Sequence, residues 1–150
     1  HGTTNAHDEA AWLVLWKIGL PLDADLAELA QRPITAEEQA AVLALIDQCI
    51  STRQPAAYLT HEAWLQGVPF YVDERTIVPR SFIAEHIANA EGAESIDPWL
   101  GEHTQRVLDM CTGNGSLAVL AALAWPEVTV DAADLSPDAL AVGLKPGSTK

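Results

Sequence analysis

Residues 106–138 constrain the fold of this chain more than any other stretch. Arg106-Val107-Leu108-Asp109-Met110 is a short apolar run that meets a tight glycine turn, Cys111-Thr112-Gly113-Asn114-Gly115. An apolar helical stretch follows over 116–125 and stops at Pro126, and a second strand-like run over 128–133 ends in Asp134. Ser136-Pro137-Asp138 reads as another helix start, with the serine as cap and the proline at the first helical position. The order strand, turn, helix, strand predicts a βαβ unit, and with it an α/β fold with parallel strands.

The turn also indicates what such a unit can hold. Glycines between a strand and a helix let backbone N–H groups approach a ligand closely, and the helix N-terminus adds partial positive charge. Gly113, Gly115 and Ala118 match G-x-G-x-x-G/A, and Asp134 lies 19 residues after Gly115 at the tip of the second strand. An acid there can accept hydrogen bonds from ribose hydroxyls. The pattern points to an adenosine-containing ligand; a plain strand-to-helix turn with Asp134 as a capping acid is the alternative. Asp109, four residues before Gly113, suits a cationic group better than a diphosphate. That favours S-adenosylmethionine over NAD.

The first third of the chain is helical in pattern. Asn5 or Asp8 can cap a helix to about Ile18 that carries Ala11, Trp12, Leu15 and Trp16 on one face. Residues 23–30 form a short second candidate ended by Arg32-Pro33. Thr35-Ala36-Glu37-Glu38 is a capping box, in which the threonine oxygen and the glutamate each satisfy an orphan backbone donor. Behind it Val42, Leu45, Ile46, Cys49 and Ile50 recur at helical spacing. The texture then changes to aromatic and β-branched residues. Residues 63–72 are expected to pair with 76–78 as a β-hairpin, with Gly67, Pro69 and Asp73-Glu74 as punctuation. After Pro79-Arg80, Ser81 can cap a helix through Ile83, Ile87 and Ala90. Residues 91–104 read as a linker with one helical turn at Asp97-Pro98-Trp99.

Charge narrows the partners. Eight Lys+Arg stand against 21 Asp+Glu, a net charge of −13, which argues against a nucleic-acid or anionic-membrane surface and favours a basic partner. No apolar run approaches the ~20 residues of a membrane span, and no signal peptide is expected. Cys49 and Cys111 cannot build a disulfide framework and read as reduced thiols of an intracellular protein. Cys111 is expected to be a packed small residue. His61-Glu62-Ala63-Trp64-Leu65 opens like H-E-x-x-H but Leu65 ends it, and His7, His86 and His103 lack ligand spacing, so no metal is expected. Ser116 is not in a nucleophile elbow, and Trp99 is expected to anchor packing.

The stretch Val107-Leu108-Asp109-Met110-Cys111-Thr112-Gly113-Asn114-Gly115-Ser116 resembles the first motif of class I methyltransferases. Asp131-Ala132-Ala133-Asp134-Leu135-Ser136-Pro137-Asp138-Ala139-Leu140 resembles their second. Upstream, Arg53-Gln54-Pro55-Ala56-Ala57-Tyr58-Leu59-Thr60, Phe70-Tyr71-Val72-Asp73-Glu74-Arg75 and Val78-Pro79-Arg80-Ser81 are similar to the protein-glutamine methyltransferases. Pro-Arg-Ser followed by Ile83-Ala84-Glu85, and Cys111 where most class I enzymes have glycine, point to the branch that modifies ribosomal protein L-three. The sister branch, acting on peptide-release factors, usually has Pro-Arg-Pro and a Thr-Glu pair there. The resemblance covers nearly residues 1–142.

That resemblance implies a helical substrate-recognition domain over 1–60 and a β-hairpin connector over 61–80. Over 81–150 it implies the first βαβ of a Rossmann-like S-adenosylmethionine-dependent methyltransferase fold, incomplete. The implied reaction is methyl transfer to the N5 amide nitrogen of a glutamine in a basic ribosomal protein, in the cytoplasm. Asp109 would face the cofactor's amino-acid end, and the backbone of Cys111, Thr112, Gly113, Asn114 and Gly115 would cradle it. Asp134, with Leu135 beside it, would hold the ribose, and Arg80 would lie near the cofactor. The family's Asn-Pro-Pro-Tyr motif does not occur in this sequence, and Ser116 stands where the family often has cysteine.

The chain is therefore expected to be about half of a family member, inactive alone. His1 in place of Met, and 143–150 as a stretch that does not continue the expected helix, suit that expectation. A release-factor glutamine methyltransferase, an NAD-binding oxidoreductase fragment and a non-catalytic interaction module are the alternatives. Two parallel strands and one crossover cannot bury both faces of a sheet. Oligomerisation through the unpaired sheet edge, or loss of order beyond about residue 105, is the expected consequence.

Overall fold

The computed structural model describes residues 6–22, 24–29, 31–89 and 95–144. The chain divides into two units, His1–Thr60 and His61–Lys150. Asn5, Asp23 and Ala30, named above at helix ends in the first unit, lie outside the described residues, as do Ala90 and the final residues 145–150.

The first unit is helical: α1 (Ala6–Lys17), α2 (Leu26–Leu29), α3 (Ala36–Thr52) and α4 (Ala56–Thr60). The capping box at the start of α3 is present, with Thr35 Oγ1 accepting from Glu38 N and Glu38 Oε2 accepting from Thr35 N. These contacts and the Arg32 guanidinium hold the Glu38 carboxyl below the usual range. Arg53 closes α3 in the left-handed region, φ 56°, donating its N–H to the Cys49 carbonyl. The short α4 follows Pro55, and its Ala56 N–H is taken by Glu9 of α1 at 3.2 Å.

Leu13, Leu45 and Ala56 form the core of this unit, with Trp12, Trp16, Cys49 and Leu59 packed against it. Leu13, absent from the expected stripe, is buried as deeply as Leu15. The two sit on opposite sides of α1, because the other side of this helix lines an apolar cavity of about 330 Å³ with Val14, Leu15, Ile18, Leu26 and Leu29. A helix covered on both sides needs no single stripe. Ile50, expected on the buried face of α3, is exposed.

The second unit begins with a hairpin of β1 (Glu62–Leu65) and β2 (Val68–Tyr71), antiparallel, in the register Glu62↔Tyr71 to Leu65↔Val68. This corrects the expected pairing. The stretch 63–72 is not one strand but the hairpin itself, and 76–78 is not its partner. Gln66 and Gly67 have φ of 50° and 74°, the two left-handed residues that a tight two-residue hairpin turn requires. The chain cannot return as a strand after Val72, because Asp73 folds it into a turn. Asp73 Oδ1 accepts from Arg75 N, the Asp73 carbonyl accepts from Thr76 N, and the Arg75 side chain is bound by both Asp73 oxygens.

Beyond this turn lie α5 (Ile83–Ala88), a 3₁₀ turn (Asp97–Trp99), β3 (Arg106–Met110), α6 (Ser116–Ala124), β4 (Thr129–Ala133) and α7 (Pro137–Gly143). Ser81 Oγ accepts from Ile83 N at the start of α5, and Ser136 caps α7 through Ala139 N. β3 and β4 pair in parallel, from Arg106↔Thr129 to Met110↔Ala133. Phe70, Ala84, Ile87, Leu120 and Ala121 form the core, so the hairpin, α5 and α6 share one cluster, and Val130 of β4 packs against it.

Trp99 corrects a second expectation. It is 87% exposed and anchors nothing among the described residues. The 3₁₀ turn is instead tied down by Trp125, whose indole N–H donates to Asp97 Oδ1 at 2.8 Å. The molecule thus combines helices with two small sheets, as an incomplete α/β methyltransferase fold would. Among the described residues no helix is long and apolar enough to cross a membrane.

Candidate functional site

The glycine turn sits where β3 ends and α6 begins. It is anchored at one side by Thr112 N donating to the Ala133 carbonyl of β4, 3.0 Å, and closed on itself by Gly115 N donating to the Thr112 carbonyl, 2.9 Å. Gly113 and Gly115 have φ of 59° and 81°, which side-chain-bearing residues adopt only at a cost. A Cβ built at either would meet nothing within 4 Å, so the glycines are required by conformation and leave open space beside the turn. Gly115 caps α6 without any side-chain hydrogen bond, which leaves the donors of the first helical turn uncapped by a side chain.

Cys111 also stands in the left-handed region, φ 60°. Glycine adopts this conformation more readily than cysteine, and the expectation of a packed thiol is overturned: Cys111 is exposed. Cys49 is the more enclosed thiol, and burial followed by the nearby Glu9 charge pushes it up. Both cysteines are free.

Two carboxylates flank the turn. Asp109, in β3, accepts at Oδ2 from Thr112 Oγ1 at 2.5 Å. Asp134, just past β4, bridges two elements: Oδ2 accepts from Gly113 N at 2.8 Å and Oδ1 from Ser136 N at 2.9 Å. The Ser136 and Gly113 amides hold the Asp134 carboxyl below its usual range, so it is ionised at neutral pH. The Leu135 amide acts in the same direction, and since a carboxylate has about four acceptor positions, Asp134 keeps acceptor capacity beyond these amides. Leu135 follows it, 98% exposed.

Asn114 is buried, and its side-chain amide is committed elsewhere: Nδ2 donates to the Tyr71 carbonyl of β2 at 3.3 Å. What it can offer a ligand at the turn is its main chain. The structure therefore brings together Asp109, Cys111, Thr112, Gly113, Asn114, Gly115, Asp134 and Leu135. Arg80 is exposed and, among the described residues, makes no hydrogen bond to the turn.

Two contacts were invisible to motif reading. The Tyr71 carbonyl supports the turn from 43 residues upstream, and Gly143 of α7 approaches Asn114 so closely that a Cβ there would lie 3.0 Å from its carbonyl oxygen. Neither leaves a local signal; a glycine at a helix end after Val142 was the only hint.

No family model matches the chain. Among curated proteins, it is 52% identical over 142 residues to a ribosomal protein uL3 glutamine methyltransferase of Burkholderia pseudomallei, covering 95% of this chain and 45% of that protein. It is 50% identical over 147 residues to the protein of the same name from Bordetella pertussis, covering 97% and 47%. With that from Neisseria meningitidis serogroup B it shares 46% over 144 residues, covering 95% and 46%. The chain spans about half the length of the curated relatives it matches.

Proposed function

Across about 95% of its residues the chain is homologous to the ribosomal protein uL3 glutamine methyltransferases, and we propose that it supplies the cofactor-binding part of such an enzyme, in a Rossmann-like domain. The observation that carries this is the open glycine turn flanked by Asp109 and Asp134, on a stretch aligned with proteins of that activity.

Bound S-adenosylmethionine supplies an electrophilic methyl group for a glutamine amide nitrogen. Asp109 carries the charge that attracts the cofactor's ammonium end, and Thr112 orients that carboxylate through its hydroxyl. The uncapped amides at the start of α6, together with the Asn114 amide of the turn, suit its carboxylate, the N–H groups of Thr112, Gly113 and Gly115 being engaged within the protein. The remaining acceptor capacity of Asp134 suits ribose hydroxyls, and Leu135 offers an exposed apolar face for a flat base. Arg80 is assigned to the margin of this site by family likeness alone.

Residues 1–60 are assigned to recognition of the protein substrate. They carry eight acidic against three basic side chains, suited to a basic ribosomal protein such as uL3 in the cytoplasm. An amide nitrogen is a weak nucleophile, and holding it in line is most of the catalysis. No Asn-Pro-Pro-Tyr is present to fix it, so turnover is assigned to the part of the relatives this chain does not span. The unpaired edge of the β3–β4 sheet is assigned to pairing with a second chain.

The test is a calorimetric titration of the chain with S-adenosylhomocysteine and, separately, NAD. Saturable binding of the first is expected, weakened about tenfold, ~1.4 kcal/mol, in Asp109→Asn. Binding of NAD without S-adenosylhomocysteine would overturn the reading, and methyl transfer to uL3 by this chain alone would overturn its division of labour.

A further inference from the structure

Glycine is a poor helix residue, yet Gly143 lies within α7 as its last residue. Its neighbours on the same helix face, Ala139 and Val142, are both buried, Val142 completely. At 143 the helix backbone lies against the glycine turn. A Cβ built there would be 3.0 Å from the Asn114 carbonyl oxygen, 3.2 Å from its carbon and 3.6 Å from Gly115 N. All three are main-chain atoms with no side-chain freedom to yield. Asn114 is meanwhile held from the opposite direction in sequence by its amide on the Tyr71 carbonyl. Thr112 is fastened to β4, and Gly113 to Asp134. The turn is thus tethered at each of its central residues, and a side chain at 143 would press on the Asn114–Gly115 main chain, to be accommodated by a few tenths of an ångström there or at the end of α7.

We infer that Gly143 is a positioning residue for the cofactor turn: the missing side chain lets α7 back the Asn114–Gly115 peptide and hold the adjacent amides at the spacing a ligand carboxylate requires. The inference rests on the reading of that turn as the S-adenosylmethionine site. It concerns no contact between Gly143 and ligand.

The experiment titrates S-adenosylhomocysteine into the full chain carrying Gly143→Ala, with Leu144→Ala, an exposed neighbour, as control. Amide resonances of Gly113 and Gly115 are recorded without ligand. Gly143→Ala is expected to weaken binding by about five- to tenfold and to shift the Gly115 amide, at an unchanged melting temperature. Leu144→Ala should bind within twofold of the parent. Parent-like affinity in Gly143→Ala overturns the inference. Should that variant fail to fold, the parent decides: the Gly143 amide must move on ligand addition, and a stationary resonance overturns the inference. A parent chain that does not bind S-adenosylhomocysteine defeats the functional reading instead. The positioning claim is then judged by the unliganded Gly115 shift alone, whose absence overturns it.

Discussion

The second unit holds two sheets of two strands each, and they solve the same problem in opposite ways. The β1–β2 hairpin is local. Its register is set by a two-residue turn, and Phe70, 2% exposed, plants its inner face in the cluster with α5 and α6. The β3–β4 pair is non-local, joined through α6, and only one of its faces is covered. Along β3, Val107 and Asp109 are half-buried while Leu108 and Met110, on the other face, are 56% and 65% exposed. The hairpin is a finished element used as support; the parallel pair is an unfinished one that carries the candidate site. The difference shows that the site depends on neighbours more than on its own sheet: Tyr71 from the hairpin and Gly143 from α7 hold a turn that two strands alone cannot.

Three substitution experiments bear on this contrast. The largest effect is expected at Phe70. Phe70→Ala removes the side chain joining the hairpin to α5 and α6 and should destabilise the second unit by about 3–5 kcal/mol, read by denaturant unfolding. A loss below ~1 kcal/mol would mean the hairpin is an appendage, not the support.

Acid offers a middle-sized probe, because each sheet ends in a carboxylate held below its ordinary range: Asp73 by Arg75 first of all, Asp134 by the Ser136 and Gly113 amides. A lowered folded-state value contributes stability above the unfolded value of ~3.9 and loses it as pH falls through the folded one. Melting temperature should therefore drop on acidification below about pH 4, less steeply in Asp73→Asn and in Asp134→Asn. Salt at ~1 M should flatten the Asp73 share more, since a guanidinium is screened and a backbone amide is not. Equal salt responses would erase the distinction.

The smallest effect is expected at Leu108. Leu108→Thr on the open face should change unfolding free energy by no more than ~0.5 kcal/mol while lowering any dimer population seen by sedimentation. A loss like that at Phe70 would show the face already covered.

Much of this was legible because its causes are local. The capping box of α3 satisfies two donors within four residues, and Ser136-Pro137 starts α7 by the same short-range logic. Gly113 and Gly115 announced the turn, since little else adopts their dihedrals. The hairpin departs from the sequence expectation for a cooperative reason: Gln66 and Gly67 take positive φ together, and no propensity of glutamine foretells it. Trp99 and Trp125 exchanged the expected anchoring role because an indole needs a partner, and Asp97 lies 28 residues from the tryptophan that uses it. The two supports of the turn, Tyr71 and Gly143, act through main-chain atoms, which sequence patterns do not encode.

The bridging carboxylate of Asp134 has a kinetic corollary. Deuterium can reach the Gly113 amide only when Asp134 lets go of it, and the same oxygen pair holds the Ser136 amide at the head of α7. The isotope-exchange lifetimes of those two protons are therefore linked through one side chain, and they clock how often the turn comes apart.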